Sequence, residues 1–191
     1  MAAYSTGYEA GCISSYFAQK SGRVKSHFPK LATLCDTRSY IILSAEASIG
    51  PWPDCPSFKG LLERAARRLP IGVILADAGY DSEANHEFAH SLGIRSIMPP
   101  EIGRQGANGP RGPHRRKLWK RFPRKCYRPR AHVEGTYSQD KRRFGSQFHA
   151  TSVCGQWGEL LTRALVHNVA LLVGGLFEPP WQQLFSTEPN G

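Results

Sequence analysis

Residues 71–100 read IGVILADAGYDSEANHEFAHSLGIRSIMPP. Ile71 to Ala76 is a short, continuous apolar run, the pattern of a strand buried on both faces. It ends in Asp77-Ala78-Gly79-Tyr80-Asp81, a turn. Ser82 to Leu92 then predicts a helix, with Asp81 as its N-cap and Gly93 as its C-terminal stop. Ile94 to Met98 predicts a second strand, ended by Pro99-Pro100. A buried strand, a helix and another strand in so short a span call for a sheet with helices laid on it.

The flanking segments extend this pattern. Upstream, Arg23 to Phe28 and Lys30 to Cys35 predict short extended pieces, and Ser39 to Ala47 a firmer strand. Asp36-Thr37-Arg38 between them suits a hairpin turn. Gly50-Pro51-Trp52-Pro53-Asp54 breaks the pattern. Ser57 to Leu69 then places Phe58, Leu61, Leu62, Ala65, Ala66 and Leu69 on one helical face, and Pro70 ends it. Downstream, Pro129 to Phe144 and Gln156 to Phe177 predict helices. In the last, Trp157, Leu160, Leu161, Ala164, Leu165, Val169 and Leu172 recur at helical spacing and are expected to pack in the core. The whole predicts an α/β fold, a mixed sheet flanked by helices. One domain is expected over residues 1–177, with a loose Pro-rich tail over 178–191.

The chain has 191 residues, enough for one domain with a real core. Its 40% hydrophobic and 21% charged residues exclude a disordered tail or a fibre. Five scattered cysteines without a CxxC pair argue against a disulfide framework or zinc ribbon, and fit a reducing, cytoplasmic setting. No apolar span suits a membrane, because Arg163, His167 and Asn168 interrupt the best candidate. No secretory signal is visible.

The net charge is +10, and its location is informative. From Ile102 to Val133 there is no Asp or Glu, while eleven Lys/Arg lie between Arg104 and Arg130. Without those eleven the chain holds 14 basic against 15 acidic residues, so the entire excess sits in one stretch. Trp119, Phe122 and Tyr127 are interleaved with it. Glycines and prolines mark its first half as loop. Such a tract is either a solvated loop or a contact for phosphates and bases.

Two acids stand out. Asp77 lies at the carboxyl end of the buried strand, where open α/β sheets place ligands, and Gly79 permits another group to approach closely. The bland alternative is that Asp77 only starts a turn or caps the helix. Glu134 is the other. Tyr127, Arg130, Glu134 and Lys141 fall within an arc of about 60° at helical pitch. Arg130 and Glu134, four apart, would also make an ordinary surface ion pair. That reading leaves unexplained a lone acid among cations, well placed to hold a divalent ion. His86 and His90 are spaced for one helical face, but without a third ligand they read as an exposed pair.

ADAGYDSEANH, followed by Tyr127-x2-Arg130-x3-Glu134-x6-Lys141, resembles the insertion-sequence transposases of the DDE superfamily, in the group with a Tyr–Arg–Glu–Lys signature. STGYEA, GPWPD, LGIRSIMPP, KRRFG and RALVHN also look like segments of this group, and the resemblance runs from Met1 to Leu172. It implies a ribonuclease-H-like fold, with the basic loop inserted before the Glu-bearing helix. It implies that Asp77 and Glu134 are the second and third acids of a catalytic triad holding Mg²⁺ or Mn²⁺. Two such ions can clamp the attacking and leaving oxygens of a phosphodiester displacement. Tyr127, Arg130 and Lys141 would contact DNA, joined by Arg115, Arg116, Lys117, Lys120 and Arg121. The implied partners are DNA and a second copy of the chain, with no membrane.

The chain departs from the family at the first acid. In the family an Asp directly precedes a Ser/Thr–Thr–Gly element; here that element is Ser5-Thr6-Gly7 and the preceding residue is Tyr4. A phenol with a pKa near 10 is a poor carboxylate substitute. Asp36 reads as a turn residue, and Asp54 belongs to a segment the family carries beside its own first Asp. The expectation is therefore an amino-terminally truncated, decayed transposase with little strand-transfer activity. The competing readings are a non-catalytic nucleic-acid-binding remnant of the same fold and a basic assembly domain.

Overall fold

The structure is a computed structural model that describes residues 1–8, 28–101, 109–145 and 147–176. Its centre is a five-stranded sheet of β1 (Ala2–Gly7), β2 (Phe28–Cys35), β3 (Ile42–Gly50), β4 (Val73–Leu75) and β5 (Arg95–Ile97). The spatial order is β3-β2-β1-β4-β5. β1, β2 and β3 pair antiparallel, while β1, β4 and β5 run parallel.

The β2–β3 turn forms as its residues dictate. Asp36 Oδ2 accepts from the backbone N–H groups of Arg38 and Ser39, at 3.2 and 2.9 Å, and from the Ser39 hydroxyl at 3.0 Å. This closes the turn through the Asp36 side chain.

Alternation along the strands divides the core. Ala3, Ala32, Leu34 and Ile74 face one side, where α1 (Ser57–Ala66) and α2 (Glu83–Ser91) bury Phe58, Leu61, Leu62, Ala65 and Ala89. Ala2, Leu31, Cys35, Leu75 and Ile97 face the other. There they meet Leu118 of α3 (Pro113–Lys120), Val133 and Tyr137 of α5 (Arg130–Phe144), and Leu160 and Ala164 of α6 (Val153–Leu176). Each large side chain so buried contributes about 1.5–3 kcal/mol. Helices thus cover both faces of a mixed sheet, the ribonuclease-H-like arrangement that the resemblance implies.

Four expectations need correction. The second half of the basic tract is not loop: it forms α3 and the short α4 (Arg124–Tyr127). Ser82, not Asp81, caps α2, its hydroxyl accepting from Asn85 N at 3.1 Å; Asp81 is drawn away by stronger donors described below. His86 is buried rather than exposed, held by Ser96 and Asp81. In α6 only Leu160 and Ala164 of the apolar set are buried, while Trp157, Leu161, Leu165, Val169 and Leu172 are 40–63% exposed. A helix apolar all round does not disclose which side meets the sheet. Arg104, the extended piece at 23–27 and the tail at 178–191 lie outside the described residues.

Candidate active site

β4 delivers Asp77 to the end of the sheet in an extended conformation, φ −72° and ψ 166°. One oxygen accepts the N–H of Ala78 at 2.7 Å, capping the turn over Ala78–Tyr80. The side chain remains 56% exposed, and its other oxygen faces Arg130. Gly79 does what its lack of a side chain allows: Asp54 Oδ2 lies 3.3 Å from where a Cβ would stand. Asp54 itself pairs with Lys30.

Glu134 comes from α5, which packs against β1. Arg130, one turn earlier, joins the two acids. Its side chain is 9% exposed, with Nη1 2.9 Å from Glu134 Oε1 and Nη2 3.0 Å from Asp77 Oδ2. Both carboxylates therefore touch one planar guanidinium, so those two oxygens are no more than about 8 Å apart. The Asp77 contact is an ion pair without good hydrogen-bond alignment. Nη2 and Nε have no hydrogen-bond partner among the described residues. Arg130 neutralises only one of the two carboxylates.

Tyr127 and Lys141 brace this pair. The Tyr127 hydroxyl donates to Ala76 O at 3.1 Å, next to Asp77, and its ring lies 5.8 Å from the Arg130 guanidinium. Burial pushes its phenol up to about 12, with Arg130 opposing the shift. Lys141 Nζ donates to Gly7 O at 2.8 Å and sits over the Tyr8 ring, and burial lowers its pKa.

Tyr4 occupies the remaining corner. Ala2 pairs with Leu75 in parallel register. Two residues further along each chain, on the same side of the sheet, stand Tyr4 and Asp77. The Tyr4 ring stacks on Tyr137 at 4.9 Å and 24°, one turn beyond Glu134. Tyr137 in turn shares a short hydrogen bond with the Thr33 hydroxyl. Tyr137 was detectable from its spacing to Glu134; Thr33 had no local signal. Among the described residues no three His, Cys, Asp or Glu side chains group as a metal site. The carboxylates of Asp77 and Glu134 are the hard oxygen donors that an ion such as Mg²⁺ takes, with waters and phosphate oxygens completing its shell, and Arg130 stands between them. It does not supply the third carboxylate of a full two-ion site.

Residues 9–169 match the family model described as the transposase DDE domain. The chain belongs to that family. No curated protein matches it. Among solved structures it is similar to the catalytic core domain of BIV integrase, at 12% identity, over 88% of this chain and 80% of that one, with a TM-score of 0.37.

In this DDE domain, a protein of DNA transposition, the basic helix α3 is fastened by acids from the other face of the site. Asp81, its side chain fully covered, accepts from Arg115 Nε at 2.8 Å, from Glu101 N at 2.9 Å and from His86 Nε2 at 3.2 Å. Burial alone would raise its pKa, but these donors hold it below the usual carboxylate range. Glu83 accepts the N–H groups of His114 and Arg115 at 2.9 and 3.2 Å, satisfying the first turn of α3. Gly112, at φ 96°, is where Glu83 presses against the backbone. Arg115 is thus committed to Asp81, whereas Arg116, Lys117, Lys120 and Arg121 form no ion pair with a described acid. No described helix is long and apolar enough to cross a membrane.

Proposed function

We propose that Asp77 and Glu134 of this transposase domain hold one divalent ion, Mg²⁺ or Mn²⁺, at a DNA phosphodiester, and that Tyr4 leaves cleavage and strand transfer weak. The observation that carries this is the single Arg130 guanidinium touching both carboxylates. Bound there, the ion would polarise a phosphoryl oxygen and activate a water. The chain's own residues do the rest. Arg130 exchanges a carboxylate for a DNA phosphate when the strand arrives. Tyr127 fixes the strand end that carries Asp77, and Lys141 fixes the end of β1. Arg116, Lys117, Lys120 and Arg121 supply cations for the DNA backbone, with Arg115 held back by Asp81. A second copy is the proposed assembly partner, seated on the charge-free outward face of α6, and the cytoplasm is the proposed compartment.

The second reading, a non-catalytic nucleic-acid-binding remnant, is favoured by Tyr4 and by Arg130 standing between the acids. Nicking of supercoiled plasmid in Mn²⁺ separates the two. Weak nicking that Asp77→Ala abolishes and Tyr4→Asp raises at least tenfold supports catalysis. Robust nicking indifferent to Asp77→Ala refutes the site. DNA binding without nicking, even in Tyr4→Asp, supports the remnant.

A further inference from the structure

Three hollows lie in a row beside α3, α4 and the edge strand β5, with volumes of about 530, 600 and 420 Å³. The first two share Phe122, Arg124 and Lys125. The last two share Arg95, Lys117, Arg121 and Pro123. They therefore form one continuous groove, and no Asp or Glu lines it. One end is walled by Tyr127, whose hydroxyl holds Ala76 beside Asp77. The other end opens where β5 leaves the sheet unpartnered.

Crowding six cations together, Arg128 among them, is unfavourable by itself. The fold nonetheless fixes them there: Asp81 grips Arg115, and Glu83 caps the first turn of α3. Both nearby acids are thereby consumed in docking the helix. Arg95, Lys117, Arg121, Arg124 and Lys125 form no ion pair with a described acid. A cationic trough with an aromatic wall at Phe122 and Tyr127 matches the chemistry of a phosphodiester chain.

We propose that this groove is a track for one DNA strand, leading its backbone away from the acid pair toward the sheet edge, and that Arg95, Arg124 and Lys125 are phosphate contacts within it. Arg95 is far in sequence from the basic tract, so only the fold brings it there. The proposal rests on the reading of the chain as DNA-acting, but not on its metal chemistry.

The test is fluorescence anisotropy of the full chain with a labelled DNA duplex, over a KCl series without divalent metal. Arg95→Gln, Arg124→Gln and Lys125→Gln are combined, and compared with Arg38→Gln, Lys59→Gln and Arg67→Gln, which remove the same charge elsewhere. Each duplex phosphate contact contributes about 0.9 to the slope of log affinity against log salt. The groove variant is expected to flatten that slope by about two to three units and weaken binding more than tenfold, with the control nearly unchanged. Equal slopes in the two variants, or no salt-dependent binding by the unaltered chain, would overturn the groove. Loss of metal-dependent nicking with the groove slope intact would sink the catalytic reading alone.

Discussion

Arg130 shows how much one side chain can organise. It is buried, it meets two half-exposed carboxylates, and it has no described hydrogen-bond partner for two of its three nitrogens. Arg130→Met keeps the volume and leaves the two acids facing each other. Thermal melts should show a loss of about 1–2 kcal/mol, the upper range for charged hydrogen bonds discounted for solvent screening. An unchanged melting temperature would mean that the ion pairs are idle. The face shared by Arg130, Glu134 and Lys141 was legible in the sequence, because helical pitch sets it; Tyr127 belongs to the separate α4. The meeting of Arg130 with Asp77 was not legible, since it depends on where α5 packs against the sheet. Nor was the fate of Arg115, one of many cations until the fold sets it against an aspartate 34 positions away.

At the level of elements, α3 depends on two acids from the turn before α2 and its first turn. Asp81 has a depressed folded pKa. Its stabilisation is complete above the ordinary aspartate value of about 3.9 and is lost as pH falls through the lower folded value. Hydrogen exchange should show α3 loosening below about pH 4, ahead of the strands, and Asp81→Asn should loosen it at neutral pH. Helix α6 has two unlike faces. Leu160→Ala should cost about 2–5 kcal/mol as a buried truncation, while the exposed Leu165→Ser should stay within about 0.5 kcal/mol. Periodicity revealed this helix but not its buried side, because Leu165 and Leu160 are equally apolar and only the position of β3 tells them apart.

Across the molecule, the charge excess and the longest run of exposed apolar residues occupy separate regions. The cations gather along α3, α4 and the β5 edge, whereas the outward side of α6 carries Trp157, Leu161, Leu165, Val169, Leu172 and Val173. That side is the surface a second copy would cover, where each partner in a standard interface buries roughly 800 Å². Sedimentation velocity should therefore find a dimer that Leu165→Glu with Leu172→Glu makes monomeric; a monomeric unaltered chain would contradict this. The central claim is the convergence of Asp77 and Glu134 on one ion. Mn²⁺ titration followed by electron paramagnetic resonance tests it most directly. The account predicts one weak site that Asp77→Ala and Glu134→Ala each weaken at least tenfold, and that Tyr4→Asp tightens. Binding untouched by either alanine, or lost only when an unrelated acid such as Glu63 is replaced, would contradict it.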